Sequence, residues 1–483
     1  MLMFDAAIYK ERRKALVKKM QEQGATGIAV FLGNVDAPMN YRDNCFEFRQ
    51  DSTFLYFWGL NEAGLAASIN LENGRECIYG DDVDIDDIIW MGPQPALSEK
   101  AETVGVGHTA AAKDFATAVQ FALQNDVPVH FLPSGRWANR LKMSEITGTP
   151  SATVYNTAPY DEGDDVHSSL ELTKAVIAMR LVKEQCEIEQ IDKACDLGVL
   201  MHTIGREGCR PGAIEKDIAG AMDGFAITKG WGVSFPTILS QNGQILHGHD
   251  HSQTITDGRL LLIDAGLALN NGYCSDFTRT LPCGGKFTQQ QREIYDIVAD
   301  CNELAYTLAA PGVAYLDVHK AVAKLMLERL KALDLVNGDV DEMTEEGIAG
   351  MFMPHGLGHN MGLDVHDMED LGENYVGYDD DQVRAAQLGL GSLRMARSLK
   401  PGNVITDEPG IYFIPALIEQ WKGEGKFKDF INYSKLESYY DFGGIRLEDD
   451  VLITPDGARR LGANRLPIAP DDVEKAMSED RKQ

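Results

Sequence analysis

The sequence predicts an α/β (mixed α and β) protein of two domains, and three observations support this prediction. A chain of 483 residues is too long for one ordinary hydrophobic core, so at least two domains are expected. The first part mixes helical and strand patterns, and strand patterns return after several helices in the second part. The polar stretch 151–169 contains Pro159 and a run of acids, which is typical of a linker. We therefore place one domain over 1–165 and another over 172–483.

Each domain begins with a recognisable pattern. Residues 10–24 predict a basic amphipathic helix that ends at Gly24, and 27–33 predicts a buried strand. The second domain begins with helical periodicity over 172–205, with a candidate break into two helices near Lys183.

The next elements of the second domain are a hairpin and further helices. Residues 259–282 contain an apolar strand, the turn dipeptide Asn271-Gly272 and a second, alternating strand, which together predict a hairpin. Helices are expected at 288–310 and 314–333, and a final strand at 443–454.

Composition excludes several classes of function. Hydrophobic residues make up 44% and charged residues 25%, as in a globular protein, and no run approaches the roughly 20 apolar residues of a membrane span. The 45 Lys and Arg face 74 Asp and Glu, and the resulting charge of −29 disfavours nucleic acid as a partner. The charged start lacks a signal peptide, and the eight cysteines form no CxxC pair. We therefore expect a cytoplasmic protein with reduced thiols.

The segment 353-MPHGLGHNMGLDVHD-367 raises the first question of chemistry. His355, His359 and His366 would share one face of a helix, but the intervening glycines and Pro354 favour strand and loop. As extended chain, His355 and His359 point to one side, while His366 needs a bend at Gly362 to join them. A surface loop with unremarkable histidines is the alternative.

Four acids in strand-like segments could meet these histidines. Asp264 lies inside the apolar run LLLIDAGLAL, and the hairpin places Asp276 on the paired strand. Glu408 lies between a strand and a Pro-Gly turn, and Glu448 shares a strand face with Arg446. Taken singly, each acid is more often paired with an arginine or a backbone amide than with a metal.

Together, the four acids predict bound cations. Their mutual repulsion requires a compensating charge near +4, which two divalent metal ions supply. Carboxylates with one imidazole favour Mn²⁺, while Zn²⁺, Co²⁺ and Fe²⁺ remain alternatives. Two such ions form the usual water-activating arrangement for hydrolysis.

These motifs resemble a known family. The set LLIDAG with CSDFTRT, MPHGLGHNMGLDVHD, TDEPGIYF and GGIRLEDDVLIT is similar to the pita-bread metallopeptidases of the aminopeptidase P and prolidase branch. The first domain contributes 47-EFRQDSTFLYFWGL-60, which resembles the N-terminal domain of aminopeptidase P. The resemblance implies an N-terminal α/β domain followed by a pita-bread catalytic domain.

The resemblance also implies roles for individual residues. It gives five metal ligands, of which the second and the last would bridge the two ions: Asp264, Asp276, His359, Glu408 and Glu448. The substrate-binding positions that it implies are His247, His355, His366 and Arg397. The catalytic positions that it implies are His355, His366, Glu408 and Arg446, with Glu408 accepting a proton from the attacking water.

The implied activity is hydrolysis of the bond between the first residue of a peptide and a following proline. Xaa-Pro dipeptidase is slightly favoured, because the long interval between Glu408 and Glu448 resembles the prolidase connector. Xaa-Pro aminopeptidase on longer peptides is the alternative, and a metal-free peptide-binding protein is a remote one. The expected partners are a proline-containing di- or oligopeptide and, by resemblance, a second copy in a homodimer.

Three departures from the family pattern affect these expectations. The interval from Asp264 to Asp276 is one residue longer, and we expect the turn at 270–272 to absorb the extra residue. Asp407 replaces an apolar residue, and strand alternation should point it away from the metals. The loop 238–247 is shorter than expected, with Phe235 in place of a tyrosine, which affects substrate preference.

Overall fold

The computed structural model describes residues 4–151 and 169–482. The chain divides into two compact units, which are considered one at a time: the first is Met1–Arg180 with Met368–Tyr375, and the second is Leu181–Asp367 with Val376–Gln483. The predicted linker 151–169 lies outside the described residues except at its ends, so the predicted domain bounds stay a prediction. None of the helices in the described ranges combines the length and apolarity that a membrane span requires.

The first unit is a five-stranded mixed sheet with helices, in the strand order β4-β3-β2-β1-β5. Its strands are β1 (Ile28–Leu32), β2 (Ala66–Asn70), β3 (Glu76–Tyr79), β4 (Thr109–Ala110) and β5 (Val129–His130). Its helices are α1 (Ala6–Glu22), α2 (Ser52–Trp58), α3 (Ile85–Met91), α4 (Leu97–Thr103), α5 (Ala112–Gln124), α6 (Trp137–Thr147) and α7 (Leu170–Arg180). The predicted first helix and the predicted strand at 27–33 are confirmed by α1 and β1.

Helix α2 forms a buried centre in the first unit, and all of its residues are buried. The side chain of Asp51 caps its first turn by accepting from the Phe54 N–H at 2.8 Å. Gly59 ends it with a φ of 63°, a conformation that glycine adopts at little cost. The ring of Trp58 packs edge-on against Phe31 of β1, with centroids 4.8 Å apart. Helix α2, within the stretch 47–60, is therefore part of the core of this unit.

The second unit contains the remaining elements. Its strands are β6 (Gly232–Val233), β7 (Ile238–Ser240), β8 (Leu260–Ala265), β9 (Leu267–Ala268), β10 (Phe277–Pro282), β11 (Val404–Asp407), β12 (Gly410–Tyr412), β13 (Gly444–Arg446), β14 (Asp449–Thr454) and β15 (Gly457–Arg460). Its helices include α8 (Gln185–Gly208), α9 (Glu215–Lys229), α10 (Gln289–Leu308), α11 (Tyr315–Ala332), α12 (Val340–Glu346), α14 (Pro415–Glu424), α15 (Tyr433–Leu436) and α16 (Pro470–Asp480). The short α13 (Glu373–Gly377) crosses the boundary between the units, and 3-10 turns occur at Ile348–Met351, Glu369–Leu371, Leu390–Ser392 and Glu437–Tyr439.

The helical predictions for the second part of the chain are confirmed. The periodic stretch 172–205 forms two helices, since α7 ends at Arg180 and α8 begins at Gln185, with Lys183 in the break. Helices α10 and α11 lie where 288–310 and 314–333 were expected. The mixed α/β class predicted from the sequence is therefore confirmed as well.

The predicted hairpin forms between β8 and β10. These strands pair antiparallel with Thr278 opposite Asp264, and the bridge between Ala268 and Cys274 keeps the same register. The chain reverses within 269–273, where Gly272 has a φ of 89°, and the absorption of the extra residue at 270–272 stays a prediction. Asp276 directly precedes β10 rather than lying within it.

The C-terminal strands bring Glu408 and Glu448 beside this hairpin. Strand β11 pairs with β14 and β12 pairs with β13, all antiparallel. The segment predicted as one strand at 443–454 is interrupted between β13 and β14, and Glu448 lies in the interruption. There its backbone N–H donates to the carbonyl of Thr278 at 3.0 Å, which joins it to β10.

The histidine-rich segment 353–367 contains no helix and is loop, as predicted, but its strand part is reduced to one isolated bridge between Asn360 and Ile405. Two of its glycines allow close backbone approach. A Cβ at Gly356 would lie 2.5 Å from the Leu393 Cα, and one at Gly358 would lie 2.1 Å from the Thr406 carbonyl oxygen. Glycine is therefore required for packing at both positions.

Candidate active site

Asp264 lies next to the last residue of β8 and is buried among apolar neighbours. One carboxylate oxygen accepts from the guanidinium of Arg446, while the other has no hydrogen-bond partner among the described residues. A buried carboxylate oxygen without a partner is costly, so this oxygen is available to a ligand.

Asp276 is held by its backbone. Its N–H donates to the carboxylate of Asp450 at 2.9 Å, and its side chain points towards His359, whose Nε2 lies 3.4 Å from Oδ2. Its Oδ1 has no partner among the described residues. Burial, and then the negative charges of Asp264 and Asp450, raise the pKa of Asp276 well above its ordinary value.

His359 is oriented so that one ring nitrogen faces the acids. Its backbone N–H donates to the Thr406 hydroxyl at 3.0 Å. Its Nδ1 lies 3.0 Å from the carbonyl oxygen of Asn360, which can only accept, so Nδ1 carries the proton. Nε2 therefore presents a lone pair to Asp276 and to Glu408, whose Oε1 is 3.9 Å away. Metal-binding histidines are commonly oriented in this way.

Glu448 and Glu408 complete the group of acids. Glu448 accepts from the hydroxyl of Thr278 at 2.6 Å. Burial, and then Asp276 and other carboxylates, raise the pKa of Glu448 well above its ordinary value. Burial also raises the pKa of Glu408, and the positive charge of Arg446 opposes this rise. These pKa shifts have the same two causes. The carboxylates are buried away from water, and they repel one another.

The donor set fits divalent metal ions. Ligand atoms of Asp276, His359 and Glu448 lie within 4.8 Å of one another, which is compact enough to hold a metal ion. Glu408 lies beside this group, with its Oε1 3.9 Å from Nε2 of His359. Asp264 lies near it as well, since its negative charge raises the pKa of Asp276. Such an ion requires hard oxygen donors and imidazole nitrogen, and the group supplies both. Asp264 and Asp276 each also offer a carboxylate oxygen that has no hydrogen-bond partner among the described residues. All five ligand positions implied by the sequence thus lie in one region of the second unit.

Arg446 connects the acids to a histidine through a tyrosine. Besides contacting Asp264, its guanidinium donates to Thr278 Oγ1 at 3.1 Å and to the Tyr412 hydroxyl at 2.7 Å. The hydroxyl of Tyr412 in turn lies 2.9 Å from Nε2 of His355. Tyr412 was absent from the residues selected by sequence, although it lies in the motif TDEPGIYF.

His355 is neutral and engaged at both ring nitrogens. Nδ1 lies 2.7 Å from the carbonyl oxygen of Gly356 and so carries the proton, which leaves Nε2 to accept from Tyr412. Burial and the nearby charge of Arg446 lower the pKa of His355 to about 3. Its Nδ1 is 3.7 Å from Oε2 of Glu408, so His355 lies at the edge of the acid group.

The two other predicted substrate histidines lie close to the same group. The ring of His366 packs against His359 with centroids 4.1 Å apart. Partial desolvation and the charge of Arg446 lower the pKa of the more exposed His247, which also experiences the charges of Asp264 and His366. The three histidines outside the metal group therefore lie around it.

The two arginines of the segment 392–399 have different surroundings. Arg397 forms an ion pair with Asp379 at 3.3 Å and donates to the Tyr378 carbonyl at 3.1 Å. It is Arg394 whose charge is felt at both His247 and Glu408. The assignment of Arg397 to substrate binding stays a prediction, and Arg394 of the same segment, 392-SLRMARSL-399, is a second candidate.

Asp407 lies on the other side of β11, opposite Asp449 of β14. Both of its carboxylate oxygens are buried and lack partners among the described residues. Burial and then Asp449 raise the pKa of Asp407 well above its ordinary value, with Arg460 opposing. We have no functional role for this acid.

Comparisons with known proteins agree with this geometry. Residues 189–455 match the model for Metallopeptidase family M24, and residues 9–130 match that for the aminopeptidase P N-terminal domain. The Xaa-Pro aminopeptidase of Escherichia coli is 31% identical over 98% of this chain and 98% of its own length. The Xaa-Pro dipeptidase of Rattus norvegicus is 28% identical over 98% of this chain and 94% of its own. Zinc-substituted E. coli aminopeptidase P in complex with product superimposes with a TM-score of 0.78 at 29% identity, covering 99% of this chain and 100% of that one.

Proposed function

Because the chain belongs to Metallopeptidase family M24, we propose that it is a metal-dependent exopeptidase that hydrolyses the Xaa-Pro bond at the N-terminus of peptides. The compact group of Asp276, His359 and Glu448 carries this proposal, since a metallopeptidase needs such a group. Relatives named Xaa-Pro dipeptidase and Xaa-Pro aminopeptidase, both similar over nearly the whole chain, supply the substrate class.

We propose that two divalent metal ions are held by Asp264, Asp276, His359, Glu408 and Glu448. Hard oxygen donors with one imidazole favour Mn²⁺, and Zn²⁺, Co²⁺ and Fe²⁺ are the alternatives. When bound, such ions neutralise the crowded carboxylates and lower the pKa of water. The unpartnered oxygens of Asp264 and Asp276 support this assignment.

The chain's own residues would bind and orient the peptide and move the proton. Glu408 lies between His359 and His355, where its carboxylate can accept a proton from the attacking water. His366 and His247 would contact the peptide around the scissile carbonyl, and His355 would do so by exchanging one of its internal hydrogen bonds. Arg446 holds Asp264 and would keep that acid ionised.

Dipeptides are the slightly favoured substrates. A dipeptidase must bind the carboxylate of the C-terminal proline, and Arg394 is a cation that, like Arg446, acts on both His247 and Glu408. Arg397 offers a matched control three positions later, because it has the same side chain and pairs with Asp379. We expect R394M to raise the KM for Gly-Pro by about 10-fold or more, and R397M to change it less. An equal effect of both variants would contradict this assignment of Arg394.

The decisive experiment measures metal content together with hydrolysis of two substrates, Gly-Pro and Gly-Pro-Pro-Ala. Release of glycine from Gly-Pro alone would support the dipeptidase. Efficient hydrolysis of the longer peptide would support the aminopeptidase instead, and hydrolysis of neither substrate by metal-loaded protein would contradict the proposed function.

We propose a homodimer in the cytoplasm. Helix α3 in the first unit exposes a row of large apolar side chains, with Trp90 85% exposed and Ile89 69% exposed, which suits a protein interface. All eight cysteines are free thiols, as expected for a reducing compartment. Sedimentation of the wild type and of W90D would test the dimer, which should weaken in the variant.

We also retain the domain bounds 1–165 and 172–483 as a proposal, testable by limited proteolysis.

A further inference from the structure

A fully buried ion pair lies beside the histidine-rich segment. Nζ of Lys183 is 2.8 Å from Oδ2 of Asp367, and each side chain is only 1% exposed. Lys183 lies in the connection before α8, and its backbone N–H donates to the Gly402 carbonyl at 2.8 Å. Removing two charges from water is expensive, and an apolar pair of similar volume is often at least as stable. The pair therefore calls for an explanation other than overall stability.

Asp367 closes the turn that ends the segment. Its N–H donates to the Asn360 carbonyl at 2.9 Å, and its Oδ1 accepts from the Asp364 N–H at 3.3 Å. The Gly362 N–H donates to the Asp364 carbonyl at 3.0 Å. One carboxylate oxygen thus binds the turn and the other binds Lys183.

The turn and the ion pair fit closely together. A Cβ at Gly362 would lie 2.7 Å from Oδ2 of Asp367 and 2.9 Å from Cε of Lys183. The Gly362 carbonyl accepts from the Cys274 N–H at 3.0 Å, which fixes the start of the turn to the loop that leads to Asp276. The ion pair therefore fills the inside of the turn, and the turn has little room to shift.

His366 is the residue immediately before Asp367. Its ring packs against that of His359, with centroids 4.1 Å apart. The backbone position of His366 is thus set between the turn bonds at 360–364 and the ion pair at Asp367.

We propose that Lys183 and Asp367 are positioning residues, which fix the turn so that His366 stays against His359 and faces the substrate. This inference rests on the proposed function in one respect, the role of His366 in peptide hydrolysis. We expect the contribution of the ion pair to rate to pass through His366, because that residue directly precedes Asp367 in the turn.

A kinetic cycle of K183M, H366A and the double variant tests this path. K183M should lower kcat for the Xaa-Pro substrate by about 10- to 100-fold with little change in KM, as expected when a supporting residue is lost. In the H366A background, K183M should lower kcat by no more than about a further 2-fold, because the residue through which it acts is gone. Losses that multiply in the double variant would overturn the proposal. D367N, which keeps the shape of the side chain, provides the same cycle should K183M fail to fold.

Arg206 and Asp480 supply the matched control. This partly buried pair joins α8 to α16 at 2.7 Å, away from the histidine segment. R206M should lower the melting temperature as K183M does while changing kcat by less than about 2-fold. A comparable loss of kcat in R206M would show that the effect of K183M is general destabilisation.

Hydrogen exchange on the metal-free protein gives a readout that does not depend on activity. K183M should speed exchange of the amides in 360–367, which the intact pair protects, whereas R206M should leave them unchanged. Unchanged exchange in K183M would overturn the inference even if the enzyme cleaves Xaa-Pro bonds. Faster exchange in a protein that cleaves no such bond would support the fixing of the turn while the proposed function failed.

Discussion

Two groups of buried acids on neighbouring strands of the second unit differ in how their charge is balanced. Asp449 on β14 is 2.7 Å from Arg279 and 3.3 Å from Arg460. Asp276 instead faces the imidazole of His359 at 3.4 Å, and Glu448, next to Asp449 in sequence, accepts from a threonine hydroxyl at 2.6 Å. The difference teaches that Asp449 is folded together with its own cations, whereas Asp276 and Glu448 leave that place to a ligand.

The largest expected effect comes from changing an acid of the site. D276N keeps the shape of the side chain but removes a charge that a bridging ligand needs, so we expect kcat/KM to fall at least about 10³-fold. Metal content, measured on the purified protein, should fall with it.

D407N is the matched control for this change. Asp407 is equally buried but lies opposite Asp449, and the pKa of its carboxyl is raised, so neutralisation should cost little activity. Comparable activity of D276N and the wild type would contradict the assignment of Asp276 as a ligand.

Removing Arg279, a cation that pairs with Asp449, should mainly lower the stability of the protein. R279M leaves the carboxylate of Asp449 buried with a weaker partner, and we expect the free energy of unfolding to fall by about 3–5 kcal/mol. Denaturant unfolding measures this value. R292M, which breaks the exposed pair with Asp471, should lower the free energy of unfolding far less, because water screens the exposed charges. Equal costs would mean that burial does not distinguish the two pairs.

Removal of metal should destabilise the protein in a pH-dependent way. The folded-state pKa values of Asp276 and Glu448 are raised by burial first, and then by mutual repulsion. For an acid with a raised folded-state pKa, the stabilising contribution is complete below the unfolded value of about 4 and is lost as pH rises through the folded value.

The metal-free protein should therefore melt at a lower temperature at pH 8 than at pH 6. Melting curves of chelated and Mn²⁺-loaded protein at both pH values test this expectation. The gap between the two forms should widen at pH 8, and a gap that narrowed would show that the acids are balanced without metal.

The smallest expected effect concerns the Tyr412 hydroxyl, which connects Arg446 to His355. Y412F removes the hydrogen bonds that this hydroxyl makes to Arg446 and to His355, while the ring remains. We expect kcat to fall about 10-fold with metal content unchanged, as is usual when a supporting hydrogen bond is lost. Y306F, which removes a hydroxyl bonded to the Ala458 carbonyl, should leave kcat unchanged. Loss of metal in Y412F would place Tyr412 among the supports of the ligands instead.

Much of the candidate site could be predicted because several of its residues are unusual in their local sequence. An acid inside an apolar strand, such as Asp264, is anomalous in any sequence, and the glycines around His355 and His359 exclude a helix. Tyr412, Lys183 and Arg394 gave no such signal. A tyrosine in a strand, a lysine before a helix and one arginine of two in a loop are all ordinary, and their roles arise from partners distant in the chain.

The sequence by itself determined the fold class and the hairpin with its turn at 270–272, and its resemblance to a family proposed the acids and histidines of the candidate site. Periodicity, turn chemistry and the cost of burying charge act over a few residues, so they can be read without coordinates. Only the tertiary structure decided that Arg446 holds Asp264, that Tyr412 connects Arg446 to His355, and that Lys183 closes the turn of His366. These contacts depend on which side chains are brought within a few ångströms of one another when the strands pair and pack, and local sequence patterns do not encode that proximity.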